Sequence, residues 1–95
     1  MQEGPGLGAL KIRVFLVGEV ASIAGRRFIE LEFQGGEVTV GDVLERLRGT
    51  LSSFRAVEDK IYLYWVLVGD VIVDKTARLR DGDEVTIMPP LYEGG

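Results

Sequence analysis

The chain has 95 residues, 46% of them hydrophobic and 27% charged, which is enough for one compact core and too few for a second. Its 15 acidic and 11 basic side chains leave a net charge of −4; no basic stripe is available to displace counterions from phosphates, so nucleic acid is not an expected partner. Cysteine and histidine are both absent, which removes disulfides, the usual metal ligands and the usual nucleophiles and proton shuttles, so neither a metal site nor self-contained catalysis is expected.

Residues 1–9 (MQEGPGLGA) carry neither the basic start nor the apolar run of a secretory signal and read as a loose lead-in. No apolar stretch approaches the roughly 20 residues needed to cross a bilayer, so the expectation is a cytoplasmic protein with no membrane partner. Leu10 to Val17 (LKIRVFLV) alternates around Ile12, Val14 and Leu16, the pattern of a strand with one buried face. Val20 to Gly25 is short, small-residued and closed by glycine, a turn or a single helical turn. Phe28 to Phe33 (FIELEF) alternates again, with Glu30 and Glu32 on a wet face.

Thr39 can cap a helix, and Asp42 suits the positive end of its dipole, although Asp is a weaker reciprocal partner than Glu or Gln. Val40, Val43, Leu44 and Leu47 then fall on one stripe, and Gly49 is a suitable stop. Residues 50–60 read as irregular or as holding a helical turn, with Leu51, Phe54 or Val57 available to plug an end of the core. Ile61 to Val68 (IYLYWVLV) reads as one strand, joined through a Gly69-Asp70 turn to VIVD as a hairpin. Lys75 to Arg80 is a connector. Glu84 to Met88 (EVTIM) turns Val85 and Ile87 inward until Pro89, which has no N–H for a ladder, ends the pairing. This order predicts an α+β fold, a mixed sheet with one main helix packed on one face. The organisation is a lead (1–9), a folded domain (10–88) and a C-terminal tail (89–95).

Strand Ile61 to Val68 is apolar on both faces, while one helix can cover only one. Placing Trp65 in the core against the helix stripe leaves Phe15, Tyr64, Val66 and Met88 for an open face beside the tail. Exposed apolar patches of this kind mark partner sites; burial of a central strand by its neighbours, or by a second copy of the chain in a homodimer or a crystal, is the competing reading.

The ending DGDEVTIMPPLYEGG, following this element order, resembles the ubiquitin-like sulfur carriers of the β-grasp fold, and within them the small subunit of molybdopterin synthase and its archaeal small-modifier relatives. The resemblance covers residues 10–95, and its specific part is Asp81-Gly82-Asp83-Glu84-Val85, Pro89-Pro90 and Gly94-Gly95. It implies that an adenylating enzyme activates the Gly95 carboxylate with ATP and that a persulfide converts it to a thiocarboxylate. The sulfur would then go to a pterin precursor within a complex with the synthase large subunit. No cofactor is held permanently, since ATP is used by the activating partner. Gly94, Pro89 and Pro90 would give the tail access to that partner. Phe15, Tyr64, Val66, Met88, Leu91 and Tyr92 would contact the partners.

The physical chemistry is compatible. A terminal carboxylate, with an unperturbed pKa of about 3.3 to 3.7, is a poor acyl donor until activated. Two residues without Cβ atoms can thread a narrow channel, and five residues beyond Pro90 could reach roughly 17 Å. Composition competes with this reading, since with 13 glycines in 95 residues a terminal pair arises by chance in about 2% of such chains. Pro89-Pro90 alone reads equally as a strand stop, and Asp81-Gly82-Asp83 as a plain turn. A thiamin-thiazole sulfur carrier, a modifier conjugated to lysine and a non-catalytic interaction domain are the alternative functions.

Overall fold

The computed structural model describes residues 9–90. Strands β1 (Leu10–Leu16), β2 (Phe28–Phe33), β4 (Trp65–Val68), β5 (Val71–Ile72) and β7 (Glu84–Met88) form one sheet in the order β2-β1-β7-β4-β5. The β1–β7 pair is parallel and the other neighbours are antiparallel, so the sheet is mixed, as the element order predicts. β3 (Val38–Thr39) and β6 (Arg78–Leu79) make a small second ladder. Helices α1 (Glu19–Ala24), α2 (Val40–Thr50) and α3 (Phe54–Glu58) cover one face.

The alternating strands bury the residues that their pattern assigns to the core. Ile12, Val14 and Leu16 of β1, Ile29, Leu31 and Phe33 of β2, and Val85 and Ile87 of β7 are all buried beneath the helices. Glu30 and Glu32 stay exposed between them. Against this layer α2 buries Val40, Val43, Leu44 and Leu47, the predicted stripe.

The start of α2 is more fully satisfied than its sequence suggests. The Thr39 hydroxyl accepts from the Asp42 N–H at 3.3 Å while the Thr39 N–H donates to Asp42 Oδ2 at 2.9 Å, so Asp completes a reciprocal capping box. The next two free donors, the N–H groups of Val40 and Gly41, bond to the carbonyls of Ala77 and Lys75, each at 2.9 Å. The connector that supplies those carbonyls is held by β6 on β3. The sequence pattern missed this ladder because two residues are too few for any period to show. Gly49 does not stop the helix, which runs on to Thr50 and is capped at Leu51.

Residues 50–60 hold the helical turn that the sequence left open. They contain α3, whose Phe54 and Val57 are both completely buried, while Arg48 of α2 reaches Glu58 at 3.4 Å. Two apolar residues three apart are the whole visible signal for a helix of one turn and a half, below what periodicity detects.

The largest departure lies in residues 61–68. Only Trp65–Val68 is strand, and Ile61–Leu63 is a 3-10 turn closed by the Leu63 and Tyr64 N–H groups on the carbonyls of Lys60 and Ile61. The cause is across the sheet: β4 pairs with β7 only as far as Trp65↔Met88. Beyond Met88 stands Pro89, with no N–H to continue a ladder, so the chain before Trp65 turns instead.

Candidate functional site

Pairing with β7 also decides which way β4 faces. Val66 lies opposite Ile87 and Val68 opposite Val85, on the helix side, while Trp65 and Leu67 lie opposite Met88 and Thr86. Two placements made from the sequence are therefore corrected. Tyr64 and Val66, expected on the open face, are 9% and 8% exposed on the helix side, where they line an apolar groove with Val40 and Leu44. Trp65, expected in the core, is half-buried on the opposite face. A one-residue difference in phase exchanges every side chain between faces, and a strand apolar on both sides offers no polar residue to set that phase.

Phe15 and Met88 are on the open face, as expected. Successive registers set Phe28, Phe15, Thr86, Leu67 and Ile72 side by side across all five strands, with Met88 and Trp65 paired one row nearer the end of β7. Phe28 is 43% and Ile72 54% exposed, and the Phe15 and Phe28 rings lie 5.2 Å apart at 47°. Such tilted pairs favour each other beyond the area they bury. Sequence reasoning missed Phe28, Leu67 and Ile72. A signal existed for Phe28, which shares the parity of Glu30 and Glu32 and is thus an apolar residue on an otherwise charged face.

Toward the other end of the sheet the same face turns ionic. Glu30, Arg13 and Glu84 align across β2, β1 and β7, with Arg13 Nη2 2.7 Å from Glu84 Oε2. Both partners are nearly half exposed, so the pair contributes little to stability; it divides the face into a charged half and an apolar half. The apolar half borders Pro89 and Pro90.

The root of the C-terminal segment is held from the helix side. The Val17 N–H donates to the Ile87 carbonyl at 3.1 Å. Gly18 follows at φ 60°, ψ −130°, a conformation in which a side chain is strained, and a β-carbon there would stand 3.4 Å from Pro89 Cγ. Glu19 then opens α1, which closes at Gly25 in the left-handed conformation, and its Oε2 accepts from the Tyr64 hydroxyl at 2.8 Å. Burial first, and then the bond to and charge of Glu19, hold the Tyr64 hydroxyl above its ordinary value. It is therefore a donor throughout neutral pH. Because the folded value is the raised one, its contribution to stability is complete below the ordinary value of 10.0 and is lost as pH climbs through the raised value.

Pro89 and Pro90 are half-buried at this root. The expected site residues Leu91, Tyr92, Gly94 and Gly95 lie outside the described residues. Among the described residues no helix is long and apolar enough to cross a membrane.

No curated protein matches the chain. Among solved structures it resembles small archaeal modifier protein 1 of Haloferax volcanii at 24% identity and a TM-score of 0.73, over 88% of this chain and 99% of that one. It also resembles a putative molybdopterin converting factor, subunit 1, from Pyrococcus furiosus at 25% identity and a TM-score of 0.72, over 86% and 99%. A complex of subunits 1 and 2 of the molybdopterin-converting factor from Helicobacter pylori 26695 matches at 17% identity and a TM-score of 0.55, over 90% and 100%, a likeness of fold alone. Residues 14–94 match the ThiS family. The mixed sheet, the helices on one face and this match over most of the chain agree: the protein belongs to the ThiS family of ubiquitin-like β-grasp sulfur carriers.

Proposed function

We propose that the protein is the sulfur-carrying small subunit of a molybdopterin synthase, acting in the cytoplasm through the carboxylate of Gly95. The observation that carries this reading is the apolar half-face of Phe15, Phe28, Trp65, Leu67 and Met88. In a ThiS-family chain it lies directly beside Pro89, from which the sequence continues to Gly94-Gly95. A sheet surface that buries its apolar residues only when a partner covers it suits a protein whose chemistry is performed by others. The chain contributes recognition and an acyl group, and an activating enzyme that uses ATP contributes the catalysis.

The steps follow from the acyl group. The Gly95 carboxylate attacks the α-phosphorus of ATP, releasing pyrophosphate and leaving an acyl adenylate. The outer sulfur of a donor persulfide then attacks the acyl carbon and AMP leaves. A thiol of the donor takes the inner sulfur into a disulfide, which frees the thiocarboxylate. In complex with a synthase large subunit, the thiocarboxylate sulfur bonds to a carbon of a pterin precursor as an oxygen group leaves that carbon, and water then hydrolyses the thioester, freeing the thiol and restoring the Gly95 carboxylate. The resemblance of the fold to a converting-factor complex of two subunits supports such a partner.

The test is to incubate the protein with ATP, its adenylating enzyme and a persulfide source. Intact mass is expected to rise by the exchange of one oxygen for sulfur, localised to the C-terminal peptide. Adducts on lysine amines instead would replace this reading with that of a protein modifier, and no activation by any adenylating enzyme of the host would leave an interaction domain. Trp65→Asp and Met88→Asp should each remain folded, because both side chains lie outside the core. Each should weaken binding to the activating enzyme by roughly 2 kcal/mol or more, about thirtyfold, since an unpaired charge would be buried in the contact. Unchanged affinity by calorimetry would remove the open face from the interface. Tyr64→Asp does not test that face, since Tyr64 is buried on the other side.

A further inference from the structure

We infer that Gly18, Glu19 and Tyr64 form a collar that fixes the direction in which the chain leaves the sheet at Pro89, and that they are positioning residues for activation of the C-terminus. This rests on the carrier reading above. Three contacts converge on the exit. The Val17 N–H holds the Ile87 carbonyl at 3.1 Å, two residues before the proline. The Gly18 backbone lies beside the Pro89 ring, where a β-carbon would stand at ordinary contact distance, 3.4 Å from Cγ and 3.5 Å from Cδ. The next residue, Glu19, is tied at 2.8 Å to the hydroxyl of Tyr64, the residue preceding the Trp65 that pairs with Met88. The loop against which Pro89 packs is thereby fastened both to the strand that ends there and to the chain alongside it.

Nothing in the packing of the core demands this tie. The Tyr64 ring is buried among Val40, Leu44 and Val66 whether or not it carries a hydroxyl, and Glu19 is a surface residue. The bond fastens the residue that follows Gly18 and so adds to the backbone bonds that hold the loop beside Pro89. A proline has one freedom fewer than other residues, its φ being set by its ring. Two in succession, seated against a fixed loop, convert the orientation of the domain into an orientation of whatever follows. For a carboxylate that must meet a nucleotide in a partner's site, each loosening at the root spreads the acyl group over a larger volume and lowers the fraction of complexes in which it is aligned.

The collar predicts an effect on turnover at saturation and not on docking. Tyr64→Phe and Glu19→Ala should each lower kcat for acyl-adenylate formation by roughly three- to tenfold, the scale of one hydrogen bond, with KM for the carrier essentially unchanged. Glu19→Gln, whose amide oxygen can still accept the hydroxyl, should restore the parental rate. The double variant Tyr64→Phe/Glu19→Ala should be no slower than either single variant, because both remove the same bond. In the free proteins, nitrogen relaxation at Leu91, the first amide after the two prolines, should show a lower order parameter in Tyr64→Phe and Glu19→Ala than in the parent and in Glu19→Gln. Core amides should be unchanged.

Parental kcat in both single variants, or a change in KM alone, would overturn the inference. So would an unchanged order parameter at Leu91. If the parent is never adenylated while Leu91 loosens as described, the collar holds and the carrier reading fails.

Discussion

Deleting Gly95, or adding one residue after it, is expected to abolish sulfur loading while leaving thermal unfolding where it was. Among the described residues the buried core runs from Ile12 to Ile87, so neither change removes a packed atom of the described domain, and chain termini generally contribute little to global stability. Chemistry depends on position far more steeply. The acyl carbon must meet the α-phosphate of a nucleotide in the partner's site, and a displacement of about 1 Å can cost on the order of a hundredfold in rate. One residue shifts the carboxylate by up to about 3.4 Å. Mass spectrometry of the intact protein after incubation with ATP, activating enzyme and persulfide should therefore show the oxygen-to-sulfur exchange in the parent alone. Both variants should melt with the parent. Loading of the deletion variant at the parental rate would end the assignment of Gly95 as acyl donor. A melting temperature lowered by several degrees would show that the segment belongs to the fold.

The second large effect is on stability and falls in the segment whose sequence is least regular. Phe54→Ala should destabilise the domain by about 3 to 5 kcal/mol, the usual cost of emptying a fully buried aromatic site. Phe54 is completely buried, on a helix too short to stand without its contacts. Its neighbours are poorly placed to collapse into the gap, since α3 packs against both α1 and α2. Against the roughly 5 to 15 kcal/mol of a typical domain, this is a large part of the whole. Trp65→Ala is the matching control. Although Trp is the larger residue, Trp65 lies on the open face, and its loss should move a denaturant midpoint far less than the loss of Phe54. The opposite ranking in urea titrations would mean that the face of β4 is inverted and that Trp65 belongs to the core.

These two residues mark the boundary of what the linear pattern could carry. Where polar and apolar residues alternate, as in LKIRVFLV, FIELEF and EVTIM, the buried face was readable directly, because period-two alternation and a one-sided core leave a single consistent orientation. The stripe of Val40, Val43, Leu44 and Leu47 with the Thr39 cap was readable for the corresponding helical reason. The ending PPLYEGG, together with the element order, was enough to suggest the family.

In IYLYWVLV no polar residue distinguishes one side from the other, so its phase was set by hydrogen bonds to a strand some twenty residues later in the chain. That ladder put Val66 against Ile87 and Trp65 against Met88. The same ladder stops at Pro89, which is why Ile61–Leu63 is a turn. The apolar row from Phe28 to Ile72 exists only because five separate segments meet in one register. The placement of Gly18 beside Pro89 and the bond of Tyr64 to Glu19 likewise join residues 71 and 45 positions apart in sequence. Local spacing encodes which face of an element is apolar; which elements come together, and in what phase, is settled by the packing and pairing free energy of the whole chain, and the candidate site is made of those long-range meetings.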